Sequence, residues 1–426
     1  MSLDDISPSA IQRIASYSPY LDALVGLASE MGLRERSNLV LLEKSLHSEW
    51  GLGQHCILGW TPHDEGILVL VVPHYAVAEY AAGGGGQRGG WQLSEQFIKS
   101  LLSQKRLLSE AQLRKVARLL AIEPRYLPLR QPVGRNTTEL QIIEQMVKRY
   151  SISFVPSRAV ALFDIVGFSL LTPFEQMTQL NSLSYSLNSA QSKLMDRNIG
   201  VSFGRSTTGD GFYIWNREEK SDSNANLYHF MHLVLADNAI ARQRATANSV
   251  PRLRAAFHVG SCYEFHQAEG LNPTVHDYIV GDVTIELARM IEKALPGQIF
   301  VGDFHIDESQ RANSHHELDA IGFVDHAQGN LSQLEGLELS GERISSIKCY
   351  LTGERSSDGF SVRRLIIADK HGLSRSVYNA KVNIYRERAE PILLGIEDRK
   401  LRQLISNFAS FELVSPSESP ASFETN

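Results

Sequence analysis

The hydrophobic pattern of the first 150 residues is mainly that of helices. Apolar positions recur at helical spacing in residues 11–31 and 93–120. Residues 139–150 are typical of a further helix that leads out of this region. Residues 66–72 are continuously apolar and predict one buried strand. We therefore expect residues 1–150 to be a mixed, mostly helical region, and the sequence does not indicate its role.

The central region, residues 151–305, alternates strands with helices. An apolar strand at 158–164 is followed by Thr172 and Pro173, which predict a helix start because threonine caps the first turn and proline suits its first position. The later predicted elements are a hairpin at 200–215, a helix at 227–247, a strand at 253–260, a helix at 281–294 and a strand at 298–301. This order predicts an α/β (α+β) fold with a ferredoxin-like βαββαβ sheet and helices on one face.

Beyond residue 320 the pattern changes to short alternating strands. Charged turns separate apolar-alternating runs at 344–351, 361–368, 378–385 and 392–396. These runs predict a small β-rich C-terminal domain over residues 320–412. Residues 413–426 are rich in Ser, Pro and Glu and predict a disordered tail.

Composition narrows the class of protein. A net charge of −6 argues against a nucleic-acid-binding surface. Three cysteines lie far apart without metal-binding spacing, which favours a reducing compartment. The longest apolar run, residues 67–73, is far below the ~20 residues that a membrane helix needs. With no signal pattern in the first residues, we expect a cytoplasmic protein with no nucleic-acid partner and no stable membrane insertion.

Two aspartates mark the centre of the predicted chemistry. Asp164 ends the first strand of the central region, and Asp210 lies in the Gly-Asp-Gly turn of the predicted hairpin. Residues 165–169, directly after Asp164, predict a tight turn that contains one glycine, Gly167. If the hairpin lies beside the strand, two carboxylates and a loop of free N–H groups meet at one sheet edge. Such an edge suits a pair of divalent ions that hold a polyphosphate.

Five segments, in this order and at these spacings, resemble the catalytic domain of class III nucleotide cyclases. They are residues 163–169, 208–212, 257–260, 281–292 and 294–299. In that family the ribose 3′-hydroxyl of a nucleoside triphosphate attacks the α-phosphorus and pyrophosphate leaves. The resemblance therefore implies a cyclase that makes a 3′,5′-cyclic nucleotide.

The resemblance also implies the metal and phosphate ligands. Asp164 and Asp210 match the two metal-binding aspartates, and the Ile165 carbonyl is a further ligand. The implied cofactors are two divalent metal ions, Mn²⁺ or Mg²⁺. The phosphate oxygens would be held by the N–H groups of Val166, Gly167, Phe168 and Ser169.

One arginine implies the oligomeric state. Arg289 matches the arginine that stabilises charge on the α-phosphate, and in the family it comes from the partner subunit. A head-to-tail homodimer with two shared active sites is therefore expected. Four residues before Arg289 the family has an asparagine that positions the ribose, whereas this chain has Ile285. Thr284 would replace it if the helix register shifts by one residue.

The base-reading positions differ from those of purine cyclases. Adenylate cyclases place a lysine where this chain has Ser206, with Arg205 beside it, and an aspartate where it has Tyr278, with Asp277 beside it. The guanine-selecting glutamate and cysteine are absent as well. A bulky Tyr278 would shrink the pocket and favour a pyrimidine. In this respect the chain resembles the stand-alone pyrimidine cyclases of bacterial Pycsar antiphage systems.

Three functions remain open from the sequence. The first is a pyrimidine cyclase that makes cyclic UMP or cyclic CMP for antiphage defence, switched on by a phage-derived activator. The second is an adenylate cyclase that contacts its base through Asp277 or Arg205. The third is a degenerate cyclase fold that binds nucleotide without turnover, because Ile285 replaces the family asparagine.

Overall fold

The structure of the protein is a computed structural model that describes residues 33–82, 94–134, 137–199, 201–217, 222–268, 275–307, 317–356, 359–369, 372–403 and 410–414. The predicted helix at 11–31 and the predicted tail beyond Val414 lie outside these residues. The described chain forms two compact units. One comprises the residues up to Pro156 together with Tyr263–Ile279, and the other comprises Ser157–Cys262 and the residues from Val280 onward.

The first unit contains a three-stranded antiparallel sheet with helices on both faces. Its strands, in the order β1-β2-β3, are β1 (His55–His63), β2 (Gly66–Pro73) and β3 (Arg125–Pro128). Its helices are α1 (Leu33–Trp50), α2 (Ala76–Ala81), α3 (Glu95–Ser103), α4 (Glu110–Leu120) and α5 (Thr137–Lys148). Helices α1 and α5 share one hydrophobic core with β2, whereas α2, α3 and α4 share another. Because both faces of β2 are buried, this strand is continuously apolar rather than alternating.

The second unit confirms the predicted ferredoxin-like arrangement. Its elements run β4 (Ile152–Ile165, from Ser157 onward in this unit), α6 (Pro173–Asp196), β5 (Phe203–Thr207), β6 (Gly211–Asn216), α7 (Ser223–Arg244), β7 (Leu253–Ala268, as far as Cys262 in this unit), α8 (Asp282–Lys293) and β9 (Ile299–Gly302). The strand order is β7-β4-β6-β5, with β6 antiparallel to both β4 and β5. This is the order of a ferredoxin-like sheet, and β9 adds a parallel strand beside β7.

The helices of this sheet begin and pack as the sequence predicts. Thr172 caps α6 in a capping box with Glu175, and Pro173 occupies the first turn. Leu183, Leu187 and Leu194 recur at helical spacing and are buried in a core shared with α7 and the sheet. None of the described helices is both long and apolar enough to cross a membrane.

The C-terminal strands extend the central sheet. β16 (Ser374–Arg386) pairs with β9 through Val377, Tyr378 and Asn379. The remaining elements are β8 (Val275–Val280), β10 (His305–Asp307), β11 (Glu317–Asp319), α9 (Ala320–Gly329), β12 (Glu338–Leu339), β13 (Glu342–Leu351), β14 (Gly353–Ser356), β15 (Gly359–Ala368), β17 (Ile392–Leu394), α10 (Asp398–Gln403) and β18 (Ser410–Val414). Residues on both sides of the predicted boundary at 305–320 therefore belong to one compact unit.

Candidate active site

The two predicted metal ligands lie on paired strands. Asp164 is opposite Gly211 in the β4–β6 ladder, and the Ile165 N–H donates to the Asp210 carbonyl at 3.0 Å. Gly209 and Asp210 form the two-residue turn between β5 and β6, closed by a bond from the Thr208 N–H to the Gly211 carbonyl at 3.0 Å. Gly209 has φ +97°, which this turn requires at its first position. Asp164 and Asp210 therefore lie at the same sheet edge.

The close approach of β6 to β4 depends on Gly211. A Cβ atom at this position would lie 1.9 Å from the Phe163 carbonyl oxygen, far inside van der Waals contact. Any side chain here would push the hairpin away from the strand that carries Asp164. Gly211 thus permits the backbone pairing that brings the two aspartates together.

We expect Gly211→Ala to destabilise the protein by about 2–3 kcal/mol, because the added methyl group forces the paired backbones apart. The measurement is the urea concentration at the midpoint of unfolding. Gly329→Ala is the matched control: a methyl group added there would meet no atom within 4 Å, and we expect a change below about 0.5 kcal/mol. Equal midpoints for the two variants would contradict the close approach.

Asp164 is held in a buried, partly neutralised environment. Its exposed fraction is 6 %, and the Arg254 Nε atom on β7 donates to its Oδ2 atom at 2.6 Å. Arg254 also donates to the Ala294 carbonyl at 3.1 Å, which fixes the guanidinium. Burial raises the pKa of Asp164, the bond to Arg254 opposes the rise, and the charge of Asp210 adds to it. A cation bound between the two carboxylates would relieve this repulsion.

The loop after Asp164 presents three N–H groups rather than four. Gly167 has φ +71° and precedes the short 3₁₀ turn Phe168–Leu170. Among the described residues, the N–H groups of Gly167, Phe168 and Ser169 have no hydrogen-bond acceptor. The Val166 N–H is different, because it donates to the Arg252 carbonyl at 2.9 Å. The Arg252 carbonyl therefore competes with a phosphate oxygen for the Val166 N–H, and the phosphate-binding role of Val166 stays a prediction.

Helix α8 carries the predicted arginine and ribose residues. Arg289 lies 3.8 Å from Asp369 (Nε to Oδ2) and 3.7 Å from Glu292 (Nη1 to Oε1). The Thr284 hydroxyl donates to the Gly281 carbonyl at 2.9 Å, so its oxygen keeps free lone pairs. Ile285 is 51 % exposed and presents no polar atom where the resembled family has an asparagine.

The predicted base-reading residues fall in both units. Ser206 lies on β5 opposite Tyr213 in the second unit. Beside it, the Arg205 Nη2 atom donates to Asn188 Oδ1 at 3.0 Å. Tyr278 belongs to the first unit and stacks on Phe265 with ring centroids 5.2 Å apart. Its placement beside the aspartates stays a prediction.

The acidic alternative for base reading has a partner of its own. The Asp277 Oδ1 atom lies 2.7 Å from His266 Nδ1, and both residues belong to the first unit. A carboxylate engaged with an imidazole has less capacity to accept from a purine. The same holds for the donors of Arg205, which are partly used by Asn188.

The donor set at the sheet edge fits a hard divalent cation. The carboxylates of Asp164 and Asp210 and the Ile165 carbonyl are oxygen ligands, which Mg²⁺ and Mn²⁺ prefer. Within the described chain, no group of three or more His, Cys, Asp or Glu side chains could hold a metal. The remaining ligands would be phosphate oxygens and water, as is usual for Mg²⁺ bound with a nucleotide.

Two residues of the site were missed by sequence reasoning. Arg254 binds Asp164 across neighbouring strands. Tyr213, on β6, donates from its hydroxyl to the Thr284 carbonyl at 3.2 Å and so joins the aspartate hairpin to α8. Burial raises the pKa of Tyr213, and the charge of Asp210 adds to the rise. The one sequence signal for Arg254 was its position near the start of a predicted strand. The start of β7 lies beside the end of β4, where the Val166 N–H donates to the Arg252 carbonyl.

Comparison with known proteins gives structural likenesses only. No family model matches the chain, and no curated protein matches it. The guanylate cyclase domain of RhGC from Catenaria anguillulae in complex with GTP is similar at 12% identity and TM-score 0.33, over 55% of this chain and 100% of that one. The adenylyl cyclase CyaB from P. aeruginosa is similar at 12% identity and TM-score 0.32, over 56% and 97%. These values are low, and the function proposed below rests on the residues of the site.

Proposed function

We propose that the protein is a nucleotide cyclase that converts a nucleoside triphosphate to a 3′,5′-cyclic nucleotide and pyrophosphate. The observation that carries the proposal is the backbone bond from Ile165 to Asp210, which holds both aspartates at one sheet edge. The choice of reaction rests on the sequence motifs that resemble class III cyclases. The second structural support is the loop of three free N–H groups next to Asp164.

Each residue of the site has a distinct part in this reaction. Asp164, Asp210 and the Ile165 carbonyl would hold two divalent ions, and such ions would lower the pKa of the 3′-hydroxyl and neutralise charge on the triphosphate. The loop N–H groups would orient the phosphates by donating to their oxygens. As the ribose oxygen bonds to the α-phosphorus, the bond to pyrophosphate breaks and the hydroxyl proton passes to solvent water. Arg289 would stabilise the charge that builds on the α-phosphate.

We infer that the active form is a homodimer with shared sites. Within the described part of one chain, the ion pairs of Arg289 are to Glu292 and Asp369 rather than to a group of the aspartate hairpin. Large apolar side chains are exposed beside the phosphate loop: Leu170 at 88 %, Phe174 at 72 % and Met177 at 54 %. Such a surface is typical of a subunit interface.

We infer a pyrimidine substrate, UTP or CTP. Ser206 offers only a hydroxyl where adenylate cyclases have a lysine. The two residues that an adenylate cyclase would need instead, Arg205 and Asp277, are engaged with Asn188 and His266. The role as a second-messenger source in antiphage defence, with a phage-derived activator, follows from the resemblance to Pycsar cyclases.

Purified protein with Mn²⁺ and each of the four ribonucleoside triphosphates should form cyclic UMP or cyclic CMP in preference to the purine products. The physical reason is that Ser206 offers only a hydroxyl at the position where adenylate cyclases have a base-reading lysine. Mass spectrometry of the products makes the measurement. Cyclic AMP as the single product would reject the pyrimidine assignment while retaining the cyclase.

The exposed Ile285 favours one second candidate, a nucleotide-binding module without turnover. An apolar side chain cannot position the ribose hydroxyls, so the triphosphate would bind and persist. Nucleotide binding with no cyclic product from any of the four triphosphates would favour this candidate. Product formation would exclude it.

A further inference from the structure

A basic cleft in the second unit is lined by residues other than the proposed ligands, although the carbonyl of its Arg252 accepts the Val166 N–H next to the proposed active site. Two adjoining cavities of about 450 and 710 Å³ share Arg252, Pro296, Gly297, Leu394 and Gly395 in their walls. Their volumes lie in the usual range for small-molecule sites. The end of α7, the loop before β9 and the segment from β17 to α10 form the walls. Neither Asp164 nor Asp210 lines either cavity.

The charged groups in the cleft are mostly cationic. Arg242, Arg252, Lys381 and Lys400 line it, against one carboxylate, Glu397. None of these four cations makes an ion pair or a side-chain hydrogen bond with another described residue. Unpaired cations around a concavity create a positive potential that attracts anions, and the concave shape focuses it.

Lys381 is the residue that marks the cleft as a binding site. Its exposed fraction is only 6 %, yet its ammonium group has no hydrogen-bond partner among the described residues. Burial lowers the pKa of Lys381; the nearby charge of Glu397 opposes this and that of Lys400 adds to it. With most of its side chain buried and its ammonium group at the cleft wall, Lys381 can donate to an anionic group that enters the cleft.

We propose that this cleft binds a phosphate-bearing small molecule, with Lys381 contacting the phosphate from the cleft wall and Arg252 and Lys400 contacting it from the rim. A phosphate group carries up to two negative charges, opposite in sign to a lining in which four cations stand against one carboxylate. Arginine donates to phosphate in a bidentate geometry, and lysine acts as a point charge. The apolar side chains of Leu393 and Ile396 give an organic part of the ligand a surface to pack on.

The test is calorimetric titration of the full chain with inorganic phosphate, inorganic pyrophosphate and uridine 5′-monophosphate. EDTA is present throughout, because binding at the proposed catalytic site needs divalent metal, so a failure here leaves the cyclase proposal standing. We expect saturable binding of at least one probe. Tightest binding of the monophosphate would identify a nucleotide ligand, and tightest binding of pyrophosphate an inorganic one.

Two variants and one matched control decide whether the cleft is the site. Lys381→Met and the exposed Lys400→Gln should each weaken binding by about tenfold, since each removes a charged contact to phosphate. Lys348→Gln, at an exposed position on β13, should bind as the unchanged protein does.

Unchanged affinity in Lys400→Gln, or in a folded Lys381→Met, would overturn the proposal, as would the absence of binding of all three probes at millimolar concentration. Lys400→Gln keeps the test informative if Lys381→Met fails to fold, because position 400 is exposed.

Discussion

Asp210→Asn should lower the rate of cyclic nucleotide formation by about a hundredfold or more, because it removes one of the two carboxylates that we propose as metal ligands. The asparagine keeps an oxygen that can accept the Thr208 hydroxyl, which lies 3.2 Å from Asp210 Oδ1. The turn should therefore stay folded while its charge is lost. Steady-state product formation at saturating Mn²⁺ and triphosphate gives the measurement.

Asp196→Asn is the matched control for this experiment. Asp196 is exposed at the end of α6, so the substitution removes the same charge at a position outside the site. We expect its rate to equal that of the unchanged protein. An Asp210→Asn protein that turns over normally would exclude the hairpin aspartate as a metal ligand.

Mixing two inactive proteins, Asp164→Ala and Arg289→Ala, should restore activity to about a quarter of the original value. In a head-to-tail dimer each site takes its aspartates from one subunit and its arginine from the other. Half of the randomly mixed dimers are heterodimers, and each has one intact site out of two. The measurement is product formation after the two proteins have exchanged subunits.

The control for recovery is a mixture of Asp164→Ala with Asp210→Asn. Both substitutions affect the aspartate pair, which one subunit supplies to each site. In a mixed dimer each chain therefore carries one defective aspartate, and neither site is complete. We expect no recovery from this pair. If the first mixture also stays inactive although mixed dimers are present, the shared-site arrangement is wrong.

Local sequence signals predicted the parts of the fold that depend on local contacts. The Thr172 capping box and the Gly-Asp turn at Asp210 involve residues within four positions of each other, so each motif determines its own geometry. The ferredoxin-like order followed from the alternation of such elements. The backbone bond between Ile165 and Asp210 then follows from the strand order.

Contacts between distant segments were not predictable in the same way. The bond from Arg254 to Asp164 joins residues 90 positions apart, and no periodicity encodes such a pair. The hydrogen bond from the Val166 N–H to the Arg252 carbonyl, which makes this N–H unavailable for phosphate, also joins distant segments and was not predictable. The alternation of apolar and polar residues in β16 is the same whether this strand forms a separate sheet or pairs with β9. The sequence therefore could not indicate that the C-terminal strands extend the central sheet.

The pairing of β16 with β9 makes one side of β9 depend on the C-terminal residues. The main-chain groups of Phe300, Val301 and Gly302 on that side find their partners in residues contributed from more than seventy positions downstream. A rearranged gene that exchanged the last hundred residues for an unrelated module would leave this row of donors and acceptors open to a neighbouring molecule. The C-terminal strands therefore complete the sheet that carries the aspartates and belong to the same compact unit.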